Sequence, residues 1–307
     1  MIIKNIDDFH LENFEDLLRS AVNRNLVLVI GAGVSKNVRK EGGKELPDWK
    51  GLLREIATTL PSDIDKKLFD EMISQKNYLE AADYLSNFCK DADIHRKIYN
   101  AVDKNISNNI ESEWHKNITI LNPRIIVTTN YDRILEKYFR INSENDNNSL
   151  QYQVIHPESS VNKLVRLLRQ DRPVLIKIHG TCDDSEEITG LVLSSSQYSR
   201  NISKNKKMYD ILRSLLLTKT FLFLGYSIDD PDFRMMLQET KYYEDSGLRA
   251  HHYMISSGVS DYRKNVLEKA YDIRVIEYSS EKGHEMGYKI LGKIAEEVQS
   301  KSFNGHQ

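Results

Sequence analysis

One stretch near the amino terminus limits the folds open to this chain more than any other. Asn25 precedes the apolar run Leu26–Ile30, which leads directly into Gly31-Ala32-Gly33-Val34-Ser35. A run of branched apolar residues that ends at a glycine turn predicts a strand buried on both faces, as in a parallel sheet. Glycines at that point let the backbone turn sharply and approach a phosphate with its N–H groups. The stretch indicates a nucleotide-binding loop or, alternatively, a tight turn that leaves a buried strand.

The loop differs from the dinucleotide fingerprint of dehydrogenases. That fingerprint requires a third glycine where this chain has Lys36. It also requires an acidic residue at the end of a second strand about 20 residues later. Here the chain instead continues through charged residues to Leu46-Pro47-Asp48-Trp49, which is typical of a helix start. A nucleotide fold other than a plain dehydrogenase is therefore indicated.

Strand-like and helix-like segments alternate beyond residue 118. Short apolar runs predict further strands at residues 124–129, 152–155, 174–178, 220–224, 252–256 and 273–278. Helical spacing of apolar residues fills the segments between them. This alternation predicts an α/β fold, a Rossmann-like parallel sheet with helices on both faces.

The segment between the first two strands has a different pattern. Residues 48–118 have helical spacing almost throughout, with no strand-like run. We therefore expect a helical insertion after the first strand, comprising residues 37–118, and an α/β core made of residues 1–36 and 119–307. His95 and His115 stand among charged residues in the insertion and are predicted to be solvated rather than catalytic.

Composition excludes several classes of protein. The 307 residues are 40% hydrophobic with a net charge of −2, which argues against a dedicated nucleic-acid surface. No apolar run reaches the roughly 18 residues of a membrane span, and acidic residues soon after Met1 argue against a signal peptide. The two cysteines, Cys89 and Cys182, cannot form a four-cysteine zinc site, and an isolated pair suggests a reducing compartment. We expect a cytoplasmic protein.

Polar or glycine residues follow four of the predicted strands. These ends are Gly31 to Ser35, Asn130-Tyr131-Asp132, His179-Gly180 and Gly225-Tyr226-Ser227. Ligands bind beyond the carboxyl ends of parallel strands. Taken singly, Asp132 could be a helix cap and His179 a core histidine. Because all four ends meet at one rim, together they predict a polar cleft.

The ordered set of motifs resembles the NAD-binding motifs of sirtuins. The match consists of the Gly31 to Ser35 loop, Pro47-Asp48-Trp49, Thr129-Asn130-Tyr131-Asp132, His179-Gly180 and Gly225-Tyr226-Ser227. The sequences of residues 128–132 and 221–232 are most similar to those of the sirtuin-like NAD hydrolases of bacterial anti-phage defence. The resemblance covers roughly residues 20–280, and it implies NAD as the substrate.

Two departures from the sirtuin pattern concern deacylation. Deacylating sirtuins carry a four-cysteine zinc ribbon that this chain lacks, and they usually have glutamine where this chain has Thr129. Because the zinc module helps to shape the acyl-peptide channel, deacylation is the weaker expectation, and we expect no bound metal and no zinc.

The resemblance also implies roles for single residues. His179 would be the base that takes a proton from a ribose hydroxyl, and Asn130 would orient that hydroxyl and the attacking water. Asp132 would face the nicotinamide carboxamide, unless it is only a helix cap. The other cofactor-binding residues implied are Gly31, Ala32, Gly33, Ser35, Asp48, Gly225 and Ser227. Asp229 and Asp230 precede Pro231 and are interpreted as caps of the next helix.

The expected function is hydrolysis of NAD to nicotinamide and ADP-ribose by an effector that depletes NAD during infection. An NAD-dependent protein deacylase is one alternative, and a non-catalytic nucleotide-binding module that assembles a complex is another. Such a hydrolase must be silent until it is needed. We therefore expect a homo-oligomer or a complex with a regulatory protein, by resemblance an ATPase, a nucleic-acid-guided protein or a phage component. No membrane and no direct nucleic-acid contact are expected.

Overall fold

The fold is built around one seven-stranded parallel sheet. In the computed structural model, the described residues are 2–107, 110–145, 151–157, 159–183, 190–242, 251–281 and 283–304. The strands are β1 (Leu26–Ile30), β2 (Ile125–Thr128), β3 (Gln153–Ile155), β4 (Val174–Lys177), β5 (Thr220–Leu224), β6 (His252–Ser257) and β7 (Ile273–Tyr278). Their order across the sheet is β3-β4-β2-β1-β5-β6-β7, and every pairing is parallel. The predicted fold class is confirmed.

Helices occupy most of the chain between these strands. They are α1 (Glu15–Val22), α2 (Ala32–Ser35), α3 (Trp49–Ala57), α4 (Asp63–Ser74), α5 (Tyr78–Ser86), α6 (Asp91–Val102), α7 (Glu113–Leu121), α8 (Ile134–Asn145), α9 (Val161–Arg169), α10 (Ser195–Lys204), α11 (Lys206–Thr218), α12 (Pro231–Tyr242), α13 (Asp261–Tyr271) and α14 (Glu285–Asn304). Within the described ranges, no helix is both long and apolar enough to cross a bilayer.

Strand β1 shows why the sheet is covered on both faces. Leu28 and Ile30 pack into a core cluster with residues of α1, α7 and α14, whereas Val27 and Val29 pack into a second cluster with residues of α9, α11 and α12. Because successive side chains of a strand point to opposite faces, an unbroken apolar run needs an apolar layer on each side.

The segment between β1 and β2 is helical, as predicted. Helices α3 to α6 enclose an apolar cluster of their own, which also takes in Tyr131, Cys182 and Leu193 from the sheet side of the molecule. Helix α7 instead packs against α14, and its Trp114 and Ile118 belong to a cluster of the sheet core. The change of packing partner therefore occurs near Glu113, a few residues before the predicted boundary at 118. The division into domains itself stays a prediction.

The chain begins with two short 3-10 turns, Ile6–Asp8 and Leu11–Phe14, before α1. One local prediction, on two histidines of the insertion, is wrong. His95 and His115 are buried, with 4% and 1% of their surfaces exposed, rather than solvated. Helical periodicity is the reason, since charged sequence neighbours point outward while each histidine faces inward.

The position of β1 determines where a ligand site can form. From β1 the chain moves to β2, β3 and β4 on one side, then returns to β5 on the other side of β1. The carboxyl ends of β1 and β5 therefore flank the point where the strand order reverses, and in open α/β sheets ligands bind at this point.

Candidate active site

The predicted strand ends are brought to one rim by four adjacent strands. β4, β2, β1 and β5 are consecutive in the sheet. Ile30 is in register with Thr128 on one side and Leu224 on the other, and Thr128 is in register with Lys177. The residues that follow these positions, including Gly31, Asn130, His179 and Gly225, therefore leave the sheet at the same level.

The glycine loop is held against the end of β5 by its backbone. The N–H of Gly31 donates to Leu224 O at 3.0 Å, and the N–H of Gly33 donates to Gly225 O at 2.9 Å. A Cβ on Gly31 would lie 2.4 Å from the Gly225 carbonyl oxygen, and Gly225 has a φ of +56°. The glycines thus permit two turns to meet backbone to backbone. Two of the N–H groups predicted to face a phosphate, those of Gly31 and Gly33, therefore donate to backbone carbonyl oxygens of the protein.

Three predicted site residues form one hydrogen-bonded chain. The amide of Asn130 donates to Ser35 Oγ at 3.0 Å, and Ser35 Oγ donates to Asp132 Oδ2 at 2.9 Å. All three side chains are buried. Asp132 Oδ1 also accepts from the N–H of Ile134, the first residue of α8, at 3.1 Å. The Asp132 carboxylate therefore binds the start of α8 and links the glycine loop to the segment after β2, while its role toward NAD stays a prediction.

Burial and the neighbouring charges of Asp132 act on its pKa in opposite directions. Burial raises its pKa to about 6, although the Lys177 ammonium, the Ile134 N–H and the Ser35 hydroxyl all oppose that rise. Lys177 is itself fully buried, donating to the backbone oxygen of Asp132 and to Glu136 Oε1, the latter at 2.9 Å. The Lys177 ammonium group thus holds the segment after β2 through its bond to the Asp132 backbone oxygen.

His179 lies in a second group of side chains, which includes the buried Asp232 and the partly exposed Asp230. Its Nε2 is 3.0 Å from Asp232 Oδ2, and its Nδ1 is 3.9 Å from Asp230 Oδ1. The ring of Tyr198 packs edge to face against the imidazole, with centroids 4.9 Å apart. Only 2% of His179 is exposed.

Both aspartates have further partners. Asp232 Oδ2 also accepts from the Tyr209 hydroxyl at 2.9 Å, while Asp232 Oδ1 accepts from the N–H of Phe233 at 2.9 Å. Asp230 Oδ1 accepts from the Tyr198 hydroxyl at 2.7 Å. From the sequence, Asp230 is interpreted as a helix cap and Asp232 carries no predicted role. The signal available was the run of aspartates after a glycine turn at a strand end, but this pattern is also typical of an ordinary helix start.

Charge in this group is balanced between imidazole and carboxylate. Burial alone would lower the pKa of His179, but the Asp232 and Asp230 carboxylates outweigh it and raise that pKa. Burial would likewise raise the pKa of Asp232, but His179 and the hydrogen-bond donors lower it. The pKa of Asp230 is raised, chiefly by burial. Asp232 is therefore the carboxylate that stays ionised beside the imidazole.

The same group offers the donor types of a metal site. Within the described part of the chain, one ligand atom from each of His179, Asp230 and Asp232 lies within 4.8 Å of the others. However, the two ring nitrogens face different carboxylates, and Asp232 Oδ2 already accepts two hydrogen bonds. The arrangement is that of a hydrogen-bonded pair with a neighbouring acid.

The segment Asn130 to Asp132 connects the two groups. The Tyr131 hydroxyl donates to Val192 O at 2.5 Å, and the N–H of Val192 donates to His179 O at 3.2 Å. The charges of Asp230 and Asp232 act on Tyr131 and contribute to its raised pKa, for which burial is the largest cause. Tyr131, which directly follows Asn130, is therefore linked through Val192 to the backbone of His179.

The remaining predicted residues lie around this centre. Asp48 caps α3 by accepting from the N–H of Gly51 at 2.8 Å, and it accepts from Lys36, which directly follows the glycine loop, at 3.2 Å. Ser227 is exposed, and its backbone oxygen accepts from Arg263 at 3.1 Å. Ala32 begins α2 and is exposed. Binding roles for these residues stay predictions.

Residues 124–276 match the SIR2-like domain family. Curated relatives include the NAD(+) hydrolase ThsA of Cytobacillus dafuensis, which is 28% identical over 74% of this chain and 40% of its own length. The NAD(+) hydrolase ThsA of Bacillus cereus (strain MSX-D12) is 26% identical over 85% of this chain and 49% of its own length. Defense-associated sirtuin 2 of Bacillus subtilis is 23% identical over 76% of this chain and 21% of its own length. The chain thus spans less than half of each of these relatives.

A solved structure of cytosolic 5'-nucleotidase IIIB bound to cytidine overlaps 94% of this chain and 92% of its own, with 11% identity and a TM-score of 0.37. A likeness this low supports no inference about function.

Proposed function

We propose that this chain, whose residues 124–276 match the SIR2-like domain family, hydrolyses NAD to nicotinamide and ADP-ribose at the rim formed by β4, β2, β1 and β5. The observation that carries the proposal is the convergence of an imidazole, a carboxamide and a glycine turn at the point where the strand order reverses. The names of the curated relatives, NAD(+) hydrolases and a defence-associated sirtuin, support it. We further propose that the chain acts in the cytoplasm as an effector of anti-phage defence.

The reaction breaks the bond between nicotinamide and its ribose. Water adds to the ribose carbon, nicotinamide leaves as a neutral base, and one proton is released. Because positive charge develops on the ribose, groups that orient the ribose hydroxyl and the water lower the barrier. Neutral His179 accepts a proton from the ribose hydroxyl and becomes a cation that Asp232 stabilises. Asn130 has both a donor and an acceptor, as required for orienting a hydroxyl and a water.

Access to these groups requires movement. His179 is 2% exposed and Asn130 8% exposed. A cavity of about 190 Å³ lies next to them and is lined by Ile98, Val192 and Asn201 among others, but by neither His179 nor Asn130. For NAD to reach the base, groups packed against His179, such as the Tyr198 ring, have to move aside. This closed state supports the expectation that activity is switched on by assembly, as a shift between two conformations.

Three outcomes of NAD turnover and NAD binding measurements separate the proposed hydrolase from its alternatives. Purified protein is incubated with NAD, with and without an acylated peptide, and products are quantified. Free nicotinamide with ADP-ribose supports hydrolysis, turnover that needs the peptide supports a deacylase, and binding without turnover supports a nucleotide-binding module. Substituting the base should cost about 10² to 10⁴ in rate, so His179→Ala should fold but lose detectable cleavage. His10→Ala, at an exposed position, is the matched control. Folded His179→Ala protein with the wild-type rate would refute the assignment.

A further inference from the structure

We infer that Asp232 is the positioning residue for His179: it holds the imidazole as the tautomer protonated on Nε2, so that Nδ1 is the atom that takes the ribose proton. This role for Asp232 in catalysis rests on the proposed function, whereas the tautomer itself is a property of the folded chain.

The assignment begins with Asp232. Its side chain is fully buried in the first turn of α12, where it accepts from the Tyr209 hydroxyl and the Phe233 N–H as well as facing His179. An ionised carboxylate only accepts hydrogen bonds. The nitrogen that lies 3.0 Å from Asp232 Oδ2 must therefore carry the hydrogen, and that nitrogen is Nε2.

The other ring nitrogen is not engaged in the same way. Nδ1 lies 3.9 Å from Asp230 Oδ1, which is beyond hydrogen-bonding distance. Asp230 Oδ1 instead accepts from the Tyr198 hydroxyl. With Nε2 bearing the hydrogen, Nδ1 of the neutral ring holds the lone pair, and it points toward the side of the ring where Asp230 lies.

Charge explains why the pair would help the reaction. When Nδ1 takes a proton the ring becomes a cation, and the ionised Asp232 compensates that charge in a site that excludes water. The titratable groups around His179 come from several elements. They are Asp232 in α12, Asp230 before it, Tyr198 in α10, Tyr209 in α11, Tyr226 after β5 and Tyr131 after β2. The tyrosines are buried and their pKa values are raised by burial, so near neutral pH they are uncharged and the ionised Asp232 is the charge that faces Nε2.

The first test reads the tautomer directly. Protein labelled with ¹⁵N-histidine is examined by long-range ¹H–¹⁵N NMR between pH 6 and pH 9, and the His179 signals are assigned by their loss in His179→Ala. We expect the neutral ring to carry its hydrogen on Nε2 in the wild type. In Asp232→Asn we expect the titration midpoint of His179 to fall, because the stabilising charge is gone. A wild-type ring protonated on Nδ1 would overturn the inference, whatever the protein does with NAD.

The second test measures activity in a matched series. Asp232→Asn should lower kcat about 10²- to 10⁴-fold with little change in KM, because an amide can offer its N–H to Nε2 and move the ring hydrogen to Nδ1. Tyr209→Phe removes a hydrogen bond from the same carboxylate oxygen but leaves its charge, and it should lose less than tenfold. Asp261→Asn changes the same charge at an exposed position and should behave as the wild type.

The two tests distinguish a failure of the proposed function from a failure of the inference about Asp232. If neither the isolated chain nor its assembled form cleaves NAD, yet His179 carries its hydrogen on Nε2, the proposed function fails and the tautomer assignment stands. If NAD is cleaved but Asp232→Asn and Tyr209→Phe lose the same activity with the same pH profile, Asp232 has only a packing role and the inference is wrong.

Discussion

Gly31 and Gly225 approach so closely that the turn after β1 leaves no room for a side chain against the turn after β5. The Gly225 carbonyl oxygen would stand 2.4 Å from a Cβ on Gly31, and the Tyr226 Cα would stand 2.9 Å from it. Both neighbours are backbone atoms, which cannot rotate away as a flexible side chain can. The predicted nucleotide-binding loop that begins at Gly31 therefore also connects the two halves of the sheet.

Gly31→Ala should consequently destabilise the protein by about 1 to 3 kcal/mol, the usual cost of overpacking. It should also displace the glycine loop at the point where the strand order reverses. Urea denaturation measures the free energy of unfolding, and NAD turnover of the folded variant measures the displacement. Gly43→Ala is the control, because its Cβ would meet nothing within 4 Å and it bears only the cost of a φ of +80°. Equal stability of Gly31→Ala and the wild type would contradict the close approach.

Asn130→Ala should lower kcat far more than it weakens NAD binding. The proposed role of the amide is to orient a hydroxyl and a water, and this interaction is strongest in the transition state. Steady-state kinetics and direct binding of NAD distinguish the two effects, with Asn162→Ala at an exposed position of α9 as control. A loss of affinity alone, or equal losses in both quantities, would indicate simple ligand binding.

Metal analysis should find no stoichiometric zinc, and chelators should leave the fold intact. Cys89 and Cys182 are both free thiols, and a structural zinc site usually takes four ligands with several sulfurs. Elemental analysis of the purified protein measures the metal content. One metal ion per chain would refute this prediction, and its loss in His179→Ala would locate the ion at the group formed with Asp230 and Asp232.

Activity should depend on assembly. The helical insertion exposes large apolar side chains, with Ile64 71%, Leu68 44% and Phe88 42% exposed. We predict a homo-oligomer or an obligate complex, with the isolated chain weakly active or silent. Mass in solution and NAD turnover are measured together across a range of protein concentrations.

The matched variants for assembly are Ile64→Asp, which should reduce both mass and activity, and Tyr262→Asp, an exposed aromatic on α13 that should change neither. A strict monomer that is fully active at nanomolar concentration would contradict the idea of control by assembly.

His115 should make stability fall on acidification. Burial lowers its pKa to about 4 in the folded chain, against about 6.5 when unfolded. The unfolded chain then binds more protons between these values, so stability present above pH 6.5 is lost as the pH falls toward 4. With about 1.4 kcal/mol per pKa unit, the loss is on the order of 3 kcal/mol. His115→Gln should lose this component of the pH dependence when unfolding is measured across that range.

Asp132 acts in the opposite sense within the same range. Its folded pKa of about 6 exceeds the unfolded value of about 3.9, so its contribution is present at low pH and is lost as the pH rises through 6. The pH dependence of the free energy of unfolding therefore contains both contributions. The difference between His115→Gln and the wild type isolates the contribution of the histidine. His10→Gln, at an exposed position, is the control. An unchanged slope in His115→Gln would show that this histidine is not buried as a neutral ring.

Much of the architecture could be predicted from local pattern alone. The strands at 220–224 and 273–278 have the bounds that the structure gives to β5 and β7, because an apolar run between turn residues defines a buried strand without reference to its neighbours. The same holds for the polar ends at Asn130 and His179. Parallel strands place their carboxyl ends at one rim whatever their order, so the shared rim followed from the fold class itself.

The partners of those residues depended on the tertiary structure. His179 and Asp232 are 53 positions apart, and Asn130 and Ser35 are 95 positions apart. Which side chains meet across such separations depends on strand order and on the rotation of each helix about its axis. Neither quantity is encoded in a short stretch of residues. The same reason explains His115, which stands among polar neighbours in sequence but turns toward Tyr138 on the packed face of α7. The sequence by itself determined the layers, the rim and the candidate base, while only the folded chain decided which carboxylate that base faces.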